Sequence, residues 1–215
     1  KLMAGSWGTL GLLSEVSFKV LPMPAAQATL VISGINADIA VDVMTASLNT
    51  AFDVNSVAYD IAAQCAYVRF EGFEQSVKYR TKSLMDTLAV DREIAVLEND
   101  DSAAAWSNIR MLSAISNQGG DLWKISVRPS DGPQIVQKLG LVWGIMDWSG
   151  GLIWAKLDAG KTARDILGDI PGHAINLSAK TGLKFSNTNP ALTHLQSAIR
   201  EKFDPKGIFN PGLMG

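Results

Sequence analysis

The chain has 215 residues, 47% of them hydrophobic and 19% charged, enough to bury one substantial core or two small ones. Its formal net charge of −2 and the absence of a basic run argue against a phosphate track for nucleic acid. No stretch approaches the roughly 20 consecutive apolar residues that span a bilayer, so no integral membrane segment is expected, and the single cysteine, Cys65, excludes an intrachain disulfide.

The first feature in chain order is a glycine turn, Gly5, Gly8 and Gly11, leading into an alternating stretch over residues 12–20. Glycines let backbone approach a ligand closely and take left-handed angles. Val16, Phe18 and Val20 would share one face of a strand. A Rossmann motif places its glycines after a strand and before a helix, the opposite order, so that reading fails. Taken alone, the spacing fits a purely structural turn equally well.

Pro22 and Pro24 punctuate the end of this segment. The pattern then predicts a strand at 28–32, a helix at 37–48 after the turn 33–36, strands at 54–60 and 65–71, and a helix at 73–89. Cys65 falls in the apolar run 61–68, where a buried inert thiol is expected. Glu98, Asn99, Asp100 and Asp101 followed by Ser102 read as the N-terminal cap of a helix at 103–115, and Gly119 and Gly120 as its stop.

A similar order returns: a strand at 122–127, a short helix at 134–139, a hairpin of 141–147 with 152–157, and a helix at 162–167. The fold class expected is α+β, two split units of the ferredoxin-like type forming one antiparallel sheet with helices on one face. A strand near 173–179, a polar loop at 181–189 and a helix at 191–203 complete the chain.

Two segments carry a resemblance. Residues 8–22 read Gly-Thr-Leu-Gly-Leu-Leu-Ser-Glu-Val-Ser-Phe-Lys-Val-Leu-Pro, and residues 203–212 read Phe-Asp-Pro-Lys-Gly-Ile-Phe-Asn-Pro-Gly. The first resembles the closing segment of the FAD-binding domain of FAD-linked oxidases in the vanillyl-alcohol oxidase superfamily, and the second resembles the same proteins' C-terminal ending. Within that superfamily the chain is most similar to the FAD-binding E subunits of bacterial glycolate oxidases.

The resemblance implies FAD as cofactor, contacted by Trp7, Gly8, Thr9, Leu10, Gly11, Leu12 and Leu13, with Asn210 returning towards the flavin domain. It implies a remnant of that domain at 1–24, a cap or substrate domain at 25–202 and a returning tail at 203–215. The superfamily's pyrophosphate loop has no counterpart here, so a C-terminal fragment is expected, itself inactive and without bound FAD. The implied partners are the other glycolate oxidase subunits and a small 2-hydroxy acid. The implied location is cytoplasmic, with peripheral attachment to the inner face of the membrane through those subunits.

Oxidising a 2-hydroxy acid needs a cation for the carboxylate, and arginine's planar fork suits it. The candidates are Arg69, Arg110 and Arg128. Arg110 is favoured because Trp106 and Arg110 resemble a Trp-then-Arg cap helix of the family. Arg69 alternates with Val68 and Phe70 and so should point to the other face of its strand. Metal-dependent relatives carry a pair of cap histidines, whereas His173 has no such neighbour, so no metal is assigned. Trp123, Trp143 and Trp154 fall on strands as core or sheet-face residues, and Trp148, in a hairpin turn, is an interface candidate. The rival readings are a non-catalytic ferredoxin-like assembly module and an FAD-linked D-lactate dehydrogenase.

Overall fold

A computed structural model describes residues 2–88, 92–179, 185 and 189–214, and its contacts divide the chain into two units, Lys1–Pro22 with Ala179–Gly215, and Met23–Ser178.

The larger unit is built on one antiparallel sheet of eight strands. Its first half runs β1 (Ala26–Ile32), α1 (Ala37–Leu48), β2 (Ser56–Asp60), β3 (Cys65–Gly72), α2 (Glu74–Leu88) and β4 (Ile94–Glu98). Two helices follow, α3 (Asn99–Arg110) and α4 (Ser113–Ser116). The second half runs β5 (Asp121–Val127), α5 (Gly132–Leu139), β6 (Gly144–Asp147), β7 (Leu152–Leu157), α6 (Ala163–Leu167) and β8 (Gly172–Asn176). The strand order is β4-β1-β3-β2-β6-β7-β5-β8. The second half thus repeats the strand order of the first in reverse. The halves join where Ala58, Tyr59 and Asp60 pair with Asp147, Met146 and Ile145.

Alternation decides which side chains form the core. Leu30 and Ile32 of β1, Val68 and Phe70 of β3, and Ile125 and Ile153 of the second half are fully buried in one cluster with residues of α1, α2, α5 and α6. Each such side chain contributes roughly 1.5–3 kcal/mol by leaving water. The cluster runs through both halves, so they share one core. Asn36 caps α1 by accepting the Ile39 N–H at 3.0 Å.

The expectation that all helices lie on one face is corrected by α3. It packs on β1 from the other side, where the hydroxyls of Thr29 and Ser102 lie 2.7 Å apart and the Trp106 Nε1–H donates to Thr29 Oγ1 at 2.9 Å. Ser102 is therefore a buried contact inside the helix, and Glu98 holds the cap position without a side-chain bond. The expected single helix over 103–115 also breaks. Leu112 takes left-handed angles (φ 54°), which turns the chain so that Ile115 is buried. A fourth strand, β4, which the sequence reading lacked, closes the first half. Cys65 is half-buried, its Sγ 3.2 Å from the Ala63 carbonyl oxygen.

The smaller unit contains α7 (Pro190–Phe203), which starts with Asn189 accepting the Ala191 N–H at 2.9 Å. Beyond the helix, Asp204 Oδ2 accepts the Phe209 N–H at 2.7 Å and holds the following turn. The strand expected at 12–20 is not formed, because a strand needs a neighbour for its backbone hydrogen bonds and no described residue pairs with this segment. Its apolar side chains, Phe18 among them at 80%, stay exposed. Most of the expected loop at 181–189, and Ala89 at the expected end of α2, lie outside the described residues.

Candidate functional site

On the face of the sheet away from the core, a groove of about 610 Å³ lies where the halves meet, lined by the second half, by α3 and by Asn55 and Ser56 of the first half. That volume falls in the range of small-ligand sites, about 300–1,000 Å³. Alternation puts Lys124 of β5, Trp154 of β7 and Ile145 of β6 in one row, since Lys124 pairs with Trp154 and Trp154 with Ile145. Asp147 follows two residues after Ile145 on the same face, opposite Leu152. The C-terminal end of α3 supplies Trp106 and Arg110 to the wall.

The charges in this groove are not balanced pairwise. Arg110 sits in the last turn of α3, where a cation suits the helix dipole, and it is exposed. Lys124 is half-buried, its Nζ 5.4 Å from the centroid of the Trp154 ring, close enough for a cation–π contact. Neither cation has an ion-pair partner among the described residues. Asp147 Oδ1 accepts the Trp148 N–H at 2.7 Å. Burial pushes the Asp147 carboxyl above the usual carboxylate range, and that hydrogen bond only partly offsets it. Two unpaired cations beside indole rings favour an anion with a small apolar body.

The turn that ends β6 is held hard. Trp148 and Ser149 both take left-handed angles (φ 51° and 53°), and Gly150 does too (φ 98°). A Cβ on Gly150 would stand 2.7 Å from Val41 Cγ2 and 2.8 Å from the Pro129 carbonyl oxygen, so only glycine fits. The Trp148 indole is 59% exposed at the rim of the groove.

Arg69 plays a different part from Arg110. It faces away from the core, its Nη2 donating to Ser56 Oγ at 3.0 Å and its Nη1 lying 3.2 Å from Glu71 Oε1. Its guanidinium stands 4.8 Å from the centroid of the Trp106 ring. Arg69 thus supports a groove wall rather than lining the groove. Arg128 is already engaged, its Nε donating to Asp131 Oδ2 at 2.8 Å.

In the smaller unit the glycine turn is partly filled by its own residues. Asn210 Nδ2 donates to the Trp7 carbonyl at 2.8 Å, and a Cβ on Gly8 would come within 2.9 Å of that nitrogen. Trp7 itself is left-handed (φ 52°) and meets the Phe185 ring edge-on at 5.4 Å. Thr9 and Leu10 are buried and shape the turn, Gly11 is half-buried, and Leu12 and Leu13 are exposed.

Over its whole length the chain is 31% identical to glycolate oxidase subunit GlcE of Escherichia coli (strain K12), of which it spans 56%. The chain is a relative of GlcE. Two solved structures of alkyldihydroxyacetonephosphate synthase share its fold, with TM-scores of 0.58 and 0.56 at 16% identity, each covering 96% of this chain and 48% of that protein. No protein-family model matches the chain.

For a GlcE relative, sequence reasoning singled out Arg110 with Trp106, both of which line the groove, and did not single out Lys124 and Asp147, which line it too. Lys124 lies between Trp123 and Ile125, both of which enter the core, so strand alternation was the signal for its face. Asp147 carries no such signal, because its burial depends on the pairing of β6 with β2 from the other half. His173, on the edge strand β8, is exposed, and among the described residues no three His, Cys, Asp or Glu side chains are grouped to hold a metal.

Proposed function

We propose that the chain belongs to an FAD-dependent 2-hydroxy acid oxidase that converts glycolate to glyoxylate as one subunit of a larger complex. The kinship with GlcE supports that substrate, and the observation that carries the reading is the pair of unpaired cations in the groove. Arg110 takes the carboxylate through two parallel hydrogen bonds, and Lys124 adds positive charge from the sheet. Trp106, Trp148 and Trp154 wall the ligand and reduce water around it, which strengthens both contacts.

In this reading the eight-stranded sheet is a pair of ferredoxin-like split units serving as the cap, with the smaller unit as the flavin-domain portion. The left-handed turn at Trp7 and Gly8, with Gly11, Leu12 and Leu13 beyond it, would hold FAD chiefly through backbone groups. Thr9 and Leu10 shape that surface from beneath, and Asn210 fixes it from the C-terminal side. FAD supplies the acceptor of hydride from C2 of the hydroxy acid. The protein's part is to bind and orient the acid. The complex works on the cytoplasmic side, and no helix among the described residues is long and apolar enough to cross a membrane.

Calorimetric titration of glycolate into the chain tests the reading. Binding should weaken at least about tenfold in R110A, the loss of a charge-assisted hydrogen bond, and partly recover in R110K. Equal affinity in the parent and R110A would remove Arg110 from the site.

A further inference from the structure

Resting on that reading, we infer that Asp147 is the group that recognises the hydroxyl of the bound acid and so sets the preference for 2-hydroxy acids over plain carboxylates. The two oxygens of this carboxylate are differently employed. Oδ1 accepts the Trp148 N–H and fixes the start of the strained turn, while Oδ2 has no partner among the described residues. Asp147 lines the groove together with the two cations. Because the three residues line one groove, a ligand whose carboxylate lies on Arg110 and Lys124 has its hydroxyl in the same space as this unused acceptor.

The chemistry favours a donor at that acceptor. Oδ2 is open to water while the groove is empty; once a ligand displaces that water, a hydroxyl pairs the oxygen again whereas a methyl group leaves it unpaired. An anion placed near Asp147 is repelled, and a hydroxyl that donates to Oδ2 offsets part of that repulsion. This is how a groove built for an anion can use an acidic residue for discrimination.

The other charges around this position are few. On the same face, β2 presents Asp60, whose Oδ1 accepts the Ala62 and Ala63 N–H groups at 2.9 and 3.0 Å. On β7, Lys156 donates to the Gly120 carbonyl at 3.3 Å. Neither α4 nor the turn at Trp148–Gly150 brings a titratable side chain. Lys124 and Arg110 remain as the charges that share the groove with Asp147.

Glycolate and acetate differ only in the hydroxyl, and Trp106, Trp148 and Trp154 make the groove report its own occupancy by fluorescence. The parent chain should bind glycolate at least about tenfold more tightly than acetate at neutral pH, as expected for a hydrogen bond to a charged group. The preference should shrink as the pH falls through the raised titration of Asp147, because the neutral acid is a weaker acceptor. D147N keeps an oxygen for the Trp148 N–H and should make the preference independent of pH, while D147A should bring the two ligands within about twofold.

R110A separates the two readings, since it should weaken glycolate and acetate together. Loss of binding in R110A with an unchanged preference in D147N and D147A would overturn the role of Asp147 and leave the groove intact. Glycolate that fails to bind, or binds equally well in R110A, would overturn both.

Discussion

The two halves of the sheet repeat one strand order, yet the face turned away from the core is used differently in each. In the first half α3 lies over it, and Thr29, Ser102, Trp106 and Arg69 join in a chain of contacts between β1, β3 and that helix. Towards the second half the face opens as the groove over Lys124, Ile145 and Trp154, bounded on the first half's side by Asn55 and Ser56. A repeated topology therefore supplies both a support and a site. What separates them is one helix, inserted between the halves, whose last turn ends over the groove with Arg110.

The largest effects should break the shared core rather than either face. F70A in the first half and I153A in the second should each cost about 3–5 and 2–5 kcal/mol respectively, read by denaturant unfolding. One cooperative transition in both variants is the expected result, since the cluster spans the halves. Separate transitions would mean that each half holds its own core.

Next come substitutions that contrast support with site. R69A removes the guanidinium from Trp106 and Ser56 and leaves Glu71 without its partner, at an expected cost of about 2–3 kcal/mol. K124A, on the open face, loses one cation–π contact to Trp154 and should cost about 0.5–1 kcal/mol while weakening glycolate binding. Thermal unfolding alongside ligand titration checks both, and a reversal of the two profiles would exchange the roles assigned here. T29V should cost about 1–3 kcal/mol, because it strands the Trp106 Nε1–H and leaves the Ser102 hydroxyl only its longer bond to Gln27 Oε1 at 3.4 Å.

The smallest effect is a pH dependence. Burial raises the Asp147 pKa above its unfolded value, so the folded chain holds that proton more tightly. Stability from this group is fully present below the ordinary carboxylate range and is lost as pH rises through the raised value. D147N should therefore raise the melting temperature slightly at neutral pH and leave it unchanged in acid, as read by calorimetry. A larger gain in acid would reverse the sign of the argument.

Much of this division was legible in the sequence where periodicity governs. The phase of Val68, Arg69 and Phe70 placed Arg69 off the core face, and Trp106 with Arg110 fell on one helix. Thr29 was not legible: its phase in β1 reads as solvated, and its burial comes from Ser102 in a distant helix. The same holds for Asp147, whose surroundings are made by β2 of the other half. The alternation over 12–20 was read as a strand, yet periodicity reports only which side chains share a face. Pairing depends on a neighbour, and none of the described residues serves.

The most direct measurement is a crystal structure of the chain with glycolate. Glycolate is expected in the groove, its carboxylate on Arg110 and Lys124 and its hydroxyl on Asp147. Glycolate found elsewhere on the chain, with the groove holding only water at saturating ligand, would contradict it.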